Sequence, residues 1–228
     1  MALYAIGDLH LCLGAPKPMD VFGGAWTGYM DKLKEGFSVI KPEDTTILLG
    51  DLSWALDLES AREDFAWINE IPGNKIILKG NHDYWWNTAT KFYRFCETND
   101  FSNQWILNNN HYEWEGYAIC GTRGWFFEES RSNDHDEKVF KRELIRLEAS
   151  LQSAGALEKL VFLHYPPRYK GYTCDEILEI LEKYQVRKCY YGHLHGASHG
   201  MAMEGQWDGI EYKLVSADRL NFKPYRIF

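Results

Sequence analysis

The sequence predicts a single α/β domain spanning residues 1–228. Three observations lead there. Short β-branched or apolar runs alternate with longer amphipathic segments; no internal repeat or Pro/Gly/Ser-rich linker interrupts the alternation; and the tail adds a β-rich stretch to the same pattern. With 45% hydrophobic and 25% charged residues, the 228-residue chain holds enough apolar material for a sizeable core without disulfide or structural-metal staples.

The elements follow in order. Leu3–Ile6, Thr46–Leu49, Lys75–Leu78, Tyr117–Cys120, Leu160–Leu163 and Lys188–Tyr191 read as buried strands. Trp26–Ile40, Leu58–Asn69, Asn87–Thr98, Asp134–Ser153 and Cys174–Lys183 read as helices between them. Thr173, with Glu176 three residues on, predicts an N-terminal capping box for the last helix. Met201–Glu204 and Glu211–Val215 predict an antiparallel pair, with Asp208-Gly209 as the turn. Leu11–Gly24 lacks periodicity and carries Pro16, Pro18 and three glycines, so it reads as a loop; long loops inside compact domains are commonly functional.

The formal charge of -8 argues against tight binding to long nucleic acid, which needs a basic face. It leaves a nucleotide substrate open, because bound metal ions would invert the local field. The five cysteines are odd in number and form no CxxC pair. Met1 leads into an apolar strand without a basic n-region, and no apolar run approaches the ~20 residues of a membrane span. A cytoplasmic protein with buried, reduced thiols and no membrane partner is the expectation.

The chemistry sits after the strands. The first is followed by Gly7-Asp8-Leu9-His10, the second by Gly50-Asp51, the third by Gly80-Asn81-His82-Asp83, and later strands by His164 and by Gly192-His193-Leu194-His195. Ligands of open α/β sheets bind at the carboxyl ends of strands, so these segments are expected to converge. Asp8 and His10 are two residues apart, as are His193 and His195; in extended backbone such pairs point to one face. Carboxylate, imidazole and amide oxygen together suit Mn, Fe or Zn, and the lack of cysteine in the set argues against a structural zinc site. Two ions need a bridging ligand, which a carboxylate such as Asp51 can supply.

Five segments in this order, DxH, GD, GNHD, H and GHxH, closely resemble the signature of the calcineurin-like metallophosphoesterase superfamily from Asp8 to His195. Five of the eight histidines fall in the pattern, a concentration that scattered core or surface histidines would not show. Pro16-Lys17-Pro18-Met19-Asp20, after the first motif, is similar to a bacterial subgroup of predicted phosphohydrolases. The resemblance implies a four-layer αββα sandwich of two mixed β-sheets flanked by helices. It also implies two divalent metal ions, one held by Asp8, His10 and His195, the other by Asn81, His164 and His193, with Asp51 bridging. His82 would lie close by without coordinating, contacting the phosphate or protonating the leaving oxygen. The implied reaction is hydrolysis of a small phosphomonoester or phosphodiester by a hydroxide bridging the two ions.

Other residues carry weaker expectations. Arg123 follows a strand and would contact substrate phosphate or form a surface ion pair. Asp83 would orient a neighbour, face solvent or cap a helix. Tyr84-Trp85-Trp86 and Trp125-Phe126-Phe127 would stack a nucleobase or line an apolar pocket or, more commonly for such residues, pack in the core. His111, His135 and His199 have no partner pattern. Gly196-Ala197-Ser198-His199-Gly200 matches GxSxG, but a nucleophile elbow needs a helix directly after it, and here a β-hairpin is expected. A binding module that kept the fold and lost catalysis would lack ligands, and none is missing. Gly50-Asp51-Leu52-Ser53-Trp54-Ala55-Leu56 lacks the arginine of the protein-phosphatase motif GDxxDRG, which favours small-molecule phosphoesters as substrates.

Overall fold

The structure is a computed structural model that describes residues 1–15, 17–125 and 134–228. Pro16, Phe126 and Phe127 lie outside the described residues, as does the His135 side chain. The chain divides into two compact units, Met1–Ile106 with Val215–Phe228, and Leu107–Leu214.

The first unit holds a five-stranded mixed sheet. Strands β1 (Leu3–Ile6), β2 (Thr45–Leu48), β3 (Asn74–Ile77) and β4 (Gln104–Ile106) run parallel, and β13 (Tyr225–Arg226) pairs antiparallel with β1. Every residue of β1 and β2 is buried, so neither strand alternates between a buried and a solvent-facing side. Helices α1 (Tyr29–Phe37), α2 (Arg62–Glu70) and α3 (Ala89–Thr98) contribute Leu33, Phe37, Phe65, Ile68 and Phe92 to one core with Tyr4, Ile6, Leu48 and Ile77.

Two helix boundaries are corrected. Helix α1 starts three residues after Trp26, because Gly28 adopts φ 64°, a left-handed conformation through which an α-helix does not propagate; Gly24–Trp26 is a separate 3-10 turn. Helix α2 starts at Arg62 rather than Leu58, since the Asp57 side chain accepts the Ser60 amide at 2.8 Å and closes a turn first.

The second unit holds a six-stranded mixed sheet in the order β11-β12-β10-β7-β6-β5. Its parallel centre comprises β6 (Tyr117–Thr122), β7 (Glu158–Leu163), β10 (Lys188–Tyr191) and β12 (Ile210–Leu214), with β5 (His111–Trp114) and β11 (Gly205–Trp207) antiparallel at the edges. A two-stranded ribbon joins β8 (Arg168–Tyr169) and β9 (Tyr172–Thr173). Helices α4 (Asp134–Ser153) and α5 (Asp175–Lys183) supply Leu147, Leu151, Ile177 and Leu181 to a core with Cys120, Val161, Cys189 and Tyr212.

The hairpin turn is where expected. Asp208 (φ 50°) and Gly209 (φ 81°) both take positive φ, as a two-residue type I′ turn requires, so Trp207 pairs with Ile210. That register places the strand at Gly205–Trp207; Met201 instead ends a 3-10 helix begun at Gly196. The capping box is absent. Thr173 is already paired with Arg168 in the ribbon, Cys174 is the N-cap, and no side chain caps α5.

All five cysteines are free; Cys96, Cys120, Cys174 and Cys189 are buried and Cys12 is half-buried. Among the described residues, no helix is long and apolar enough to cross a membrane. The two mixed sheets, each with its helices, agree with the α/β class read from the sequence.

Candidate functional site

In the first unit the parallel pairing of β1 and β2 continues beyond the strands. Asp8 N donates to Gly50 O at 2.8 Å, His10 N to Asp51 O at 2.9 Å, Leu11 N to Leu52 O at 2.8 Å, and Trp54 N to Leu11 O at 2.9 Å. Inside this zipper Asp8 (φ 61°), His10 (φ 47°) and Asp51 (φ 50°) adopt the left-handed conformation. Such backbone costs on the order of 1–3 kcal/mol per residue and persists where surrounding structure over-determines it, commonly at functional sites. Its effect is to gather side chains. A donor atom of Asp8 lies within 4.8 Å of one from His10 and of one from Asp51. His10 Nε2 is 4.0 Å from Asp51 Oδ2. Asp8 and His10 thus converge as expected, although through left-handed turns rather than extended backbone.

Asp8, at 0% exposure, and Asp51, at 1%, are buried carboxylates in close company. Two such charges out of water call for a cation, and the imidazole beside them completes a donor set suited to a divalent metal ion.

Glycines make room for Asp51. A Cβ on Gly80 would lie 2.0 Å from Asp51 Oδ1, and one on Gly50 would lie 2.3 Å from Gly80 N. The carboxylate itself accepts the His82 amide at 2.7 Å through Oδ1. Asp83, fully buried, accepts Asp51 N at 2.8 Å and Gly80 N at 2.7 Å through Oδ2, and Leu52 N at 2.9 Å and Trp85 Nε1 at 2.8 Å through Oδ1. It therefore ties the GNHD segment to the GD segment. Of its three expected roles, orienting a neighbour holds; the N-cap of α3 is Thr88.

His82 is half-buried, with its ring 5.8 Å from that of His10 and 4.6 Å from that of Trp54. Trp54 stacks on His10 at 4.9 Å and 23°. Asp64 of α2 accepts Leu13 N at 2.7 Å and the Ser53 hydroxyl, joining the loops after β1 and β2; burial pushes its carboxyl above the ordinary range. Tyr84 is exposed beside His82, whereas Trp85 is core.

In the second unit, His164 follows β7 and is fully buried, with its amide donating to Arg123 O at 3.1 Å and its carbonyl accepting Gly192 N at 3.0 Å. Gly192 leads into His193 (φ 72°), whose ring lies 5.2 Å from that of His164 and 4.5 Å from that of Tyr165. The two histidines assigned to one ion are thus neighbours. Half-buried His195 has extended backbone and precedes the 3-10 segment Gly196–Met201. No α-helix follows Ser198, so the GxSxG match lacks its elbow.

Arg123 forms an ion pair, but with a buried partner: Nη2 is 3.6 Å from Glu143 Oε1. Glu143 also accepts Arg146 Nη1 at 2.6 Å and the Thr122 hydroxyl at 2.7 Å. The guanidinium carbon lies 5.0 Å from the Trp125 ring centroid.

The sequence missed Trp54, Asp64 and Tyr165. Trp54 and Tyr165 stand within three residues of an expected ligand, the only local hint of their contacts; Asp64 is a carboxylate on the buried face of α2, among Phe65 and Ile68.

The sequence model of the calcineurin-like phosphoesterase family matches residues 1–197. Among solved structures, a protein of unknown function, AQ665 from Aquifex aeolicus, is 19% identical over 99% of this chain and 95% of that one, with a TM-score of 0.56. TT1561 of Thermus thermophilus is 14% identical over 98% and 96% of the two chains, with a TM-score of 0.56. At these identities the likeness is one of fold. No curated protein matches the chain.

Proposed function

We propose, for a chain that belongs to the calcineurin-like phosphoesterase family, that it is a dinuclear metal-dependent hydrolase of small phosphomonoesters or phosphodiesters, nucleotides included. The observation that carries the reading is the strained, buried convergence of Asp8, His10 and Asp51 in a family-matched chain.

In this reading Asp8, His10 and His195 would hold one ion and Asn81, His164 and His193 the other, with Asp51 contributing to both. Residues 1–228 form a single domain in this reading. When bound, the ions (Mn, Fe or Zn) supply Lewis acidity to the phosphoryl oxygens and lower the pKa of water for in-line attack. The protein's residues do the rest. Asp51, fixed by the His82 amide and by the Asp83 anchor on its own backbone, keeps its carboxylate in place. Asp8 and His10 are held by the loop zipper, so little reorganisation is required when substrate arrives. His82, beside His10 and without a ligand role, donates a proton to the departing oxygen. Arg123 contacts a phosphoryl oxygen while Glu143 and Trp125 hold its guanidinium. A cytoplasmic location fits the five free thiols.

The experiment is hydrolysis of a panel of small mono- and diesters by protein reloaded with Mn²⁺, repeated after complete chelation. Metal-dependent turnover of at least one ester class is expected. Metal-independent turnover that disappears in Ser198→Ala would assign the activity to a serine hydrolase; metal binding without turnover of any ester would favour a silent binding module.

A further inference from the structure

In the loop after the first motif, several described residues are anchored to the rest of the first unit. Near its start Leu13 is anchored to Asp64, and Gly14 is packed so that a Cβ would lie 2.3 Å from Ser60 O. Further along, Met19 is buried and its Sδ accepts the Trp54 indole N–H at 3.3 Å. Between these anchors Lys17 donates its backbone amide to Ala15 O at 2.9 Å, and its ammonium lies 3.3 Å from the centroid of the Trp54 ring. The same indole stacks on His10 at 4.9 Å, so 3.3 Å and 4.9 Å together put Lys17 Nζ no more than about 8 Å from the His10 imidazole.

Three features set Lys17 apart from an ordinary surface lysine. Its backbone amide is bonded to Ala15 O, and Met19, two residues on, is buried. Its charge is held over an aromatic face beside an expected metal ligand, while the side chain stays exposed. Among the described residues no carboxylate lies within ion-pair distance of it; the neighbouring Asp20 accepts the Gly28 amide at 2.7 Å instead. A cation–π contact at an exposed site is worth only about 0.5–1 kcal/mol. A charge-assisted bond to phosphate or carboxylate is stronger, so the ammonium is positioned and still available to an anion.

Resting on the phosphoesterase reading above, we propose that Lys17 is a specificity residue that recognises a second anionic group, so that the preferred substrates are small phosphoesters carrying a further phosphate or carboxylate. Trp54 is the positioning residue: one indole orients both the ammonium and the His10 ring, linking recognition of the second anion to the place where the ester is cleaved.

The test uses the full chain reloaded with Mn²⁺ and three matched esters: propyl phosphate, 3-carboxypropyl phosphate and 3-phosphonopropyl phosphate, whose phosphonate cannot be hydrolysed. Wild type should prefer at least one anionic member over propyl phosphate, and which one separates carboxylate from phosphate recognition. Lys17→Met should cut that preference about tenfold, the scale of one hydrogen bond to a charged group, chiefly through KM, while Lys17→Arg retains most of it. Metal content should match wild type in both variants. No preference for the anionic esters, or an equal loss on all three in Lys17→Met, overturns the inference and leaves the phosphoesterase reading standing. Failure to hydrolyse these esters and nitrophenyl mono- and diesters alike ends that reading, and the inference with it.

Discussion

The carboxylate of Asp83 accepts the backbone amide of Asp51 at 2.8 Å, across 32 residues of sequence. One oxygen binds Asp51 N and Gly80 N, the other Leu52 N and Trp85 Nε1. In Asp83→Asn, whichever way the amide is turned, its NH₂ faces two N–H donors. Each buried donor left unsatisfied costs about 1–3 kcal/mol, so a loss of about 2–6 kcal/mol is expected in urea unfolding. Metal affinity should fall as well, since the Asp51 segment loses its anchor. A change in stability below about 0.5 kcal/mol would show that Asp83 is not the tie between the two segments.

Asp51→Asn tests the bridge. The neutral side chain can still accept the His82 amide through Oδ1, so the loop is expected to fold while one unit of charge is removed. Elemental analysis after Mn²⁺ titration should find two ions per wild-type chain and at most one in the variant. Two ions bound with unchanged affinity would remove Asp51 from the bridging role.

His82→Ala separates proton donation from charge stabilisation. An alkyl ester leaves as a basic alkoxide and needs a proton, whereas a nitrophenyl ester leaves as a stabilised phenolate and needs it far less. General-acid assistance is typically worth ~10²–10⁴-fold. The variant should therefore lose much of its rate on alkyl esters and clearly less on nitrophenyl esters, with metal content measured on the same samples. Equal losses would point to phosphate contact; a lost ion would make His82 a ligand.

Lys75 predicts a pH-dependent stability. Its side chain is fully buried in β3, where Nζ donates to the carbonyls of Ile71 and Gly73, and burial lowers its pKa to about 7. The folded pKa lies below the unfolded one, so the cost of the buried charge is fully present below pH 7 and shrinks as pH rises above it. Unfolding free energy should climb from pH 7 to 9, by at most ~1.4 kcal/mol per pH unit from this group. Above that, Cys120 and Cys174, raised by burial to about 11, oppose the trend. Lys75→Met should flatten the rise between pH 7 and 9; parallel wild-type and variant profiles would mean that the ammonium stays protonated when buried.

What the sequence by itself determined is local in origin. The limits of β1 and β10, the C-terminal end of α4, the Asp208-Gly209 turn, and the run of ligand-type residues after successive strands all follow from apolar periodicity and from residue chemistry within a few positions. The edge strands β5 and β13 and the three-residue β4 escaped it, because such short segments carry no period and exist only through their partners. Tertiary structure alone decided what each polar group does. Asp83 could have been a cap or a solvated turn until amides from a distant loop met its carboxylate. Arg123 has an ordinary arginine's sequence context, and its buried partner Glu143 lies within α4. The left-handed backbone at Asp8, His10 and Asp51 is unfavourable taken residue by residue; it is held by hydrogen bonds between loops some 40 residues apart in sequence, which no local preference encodes.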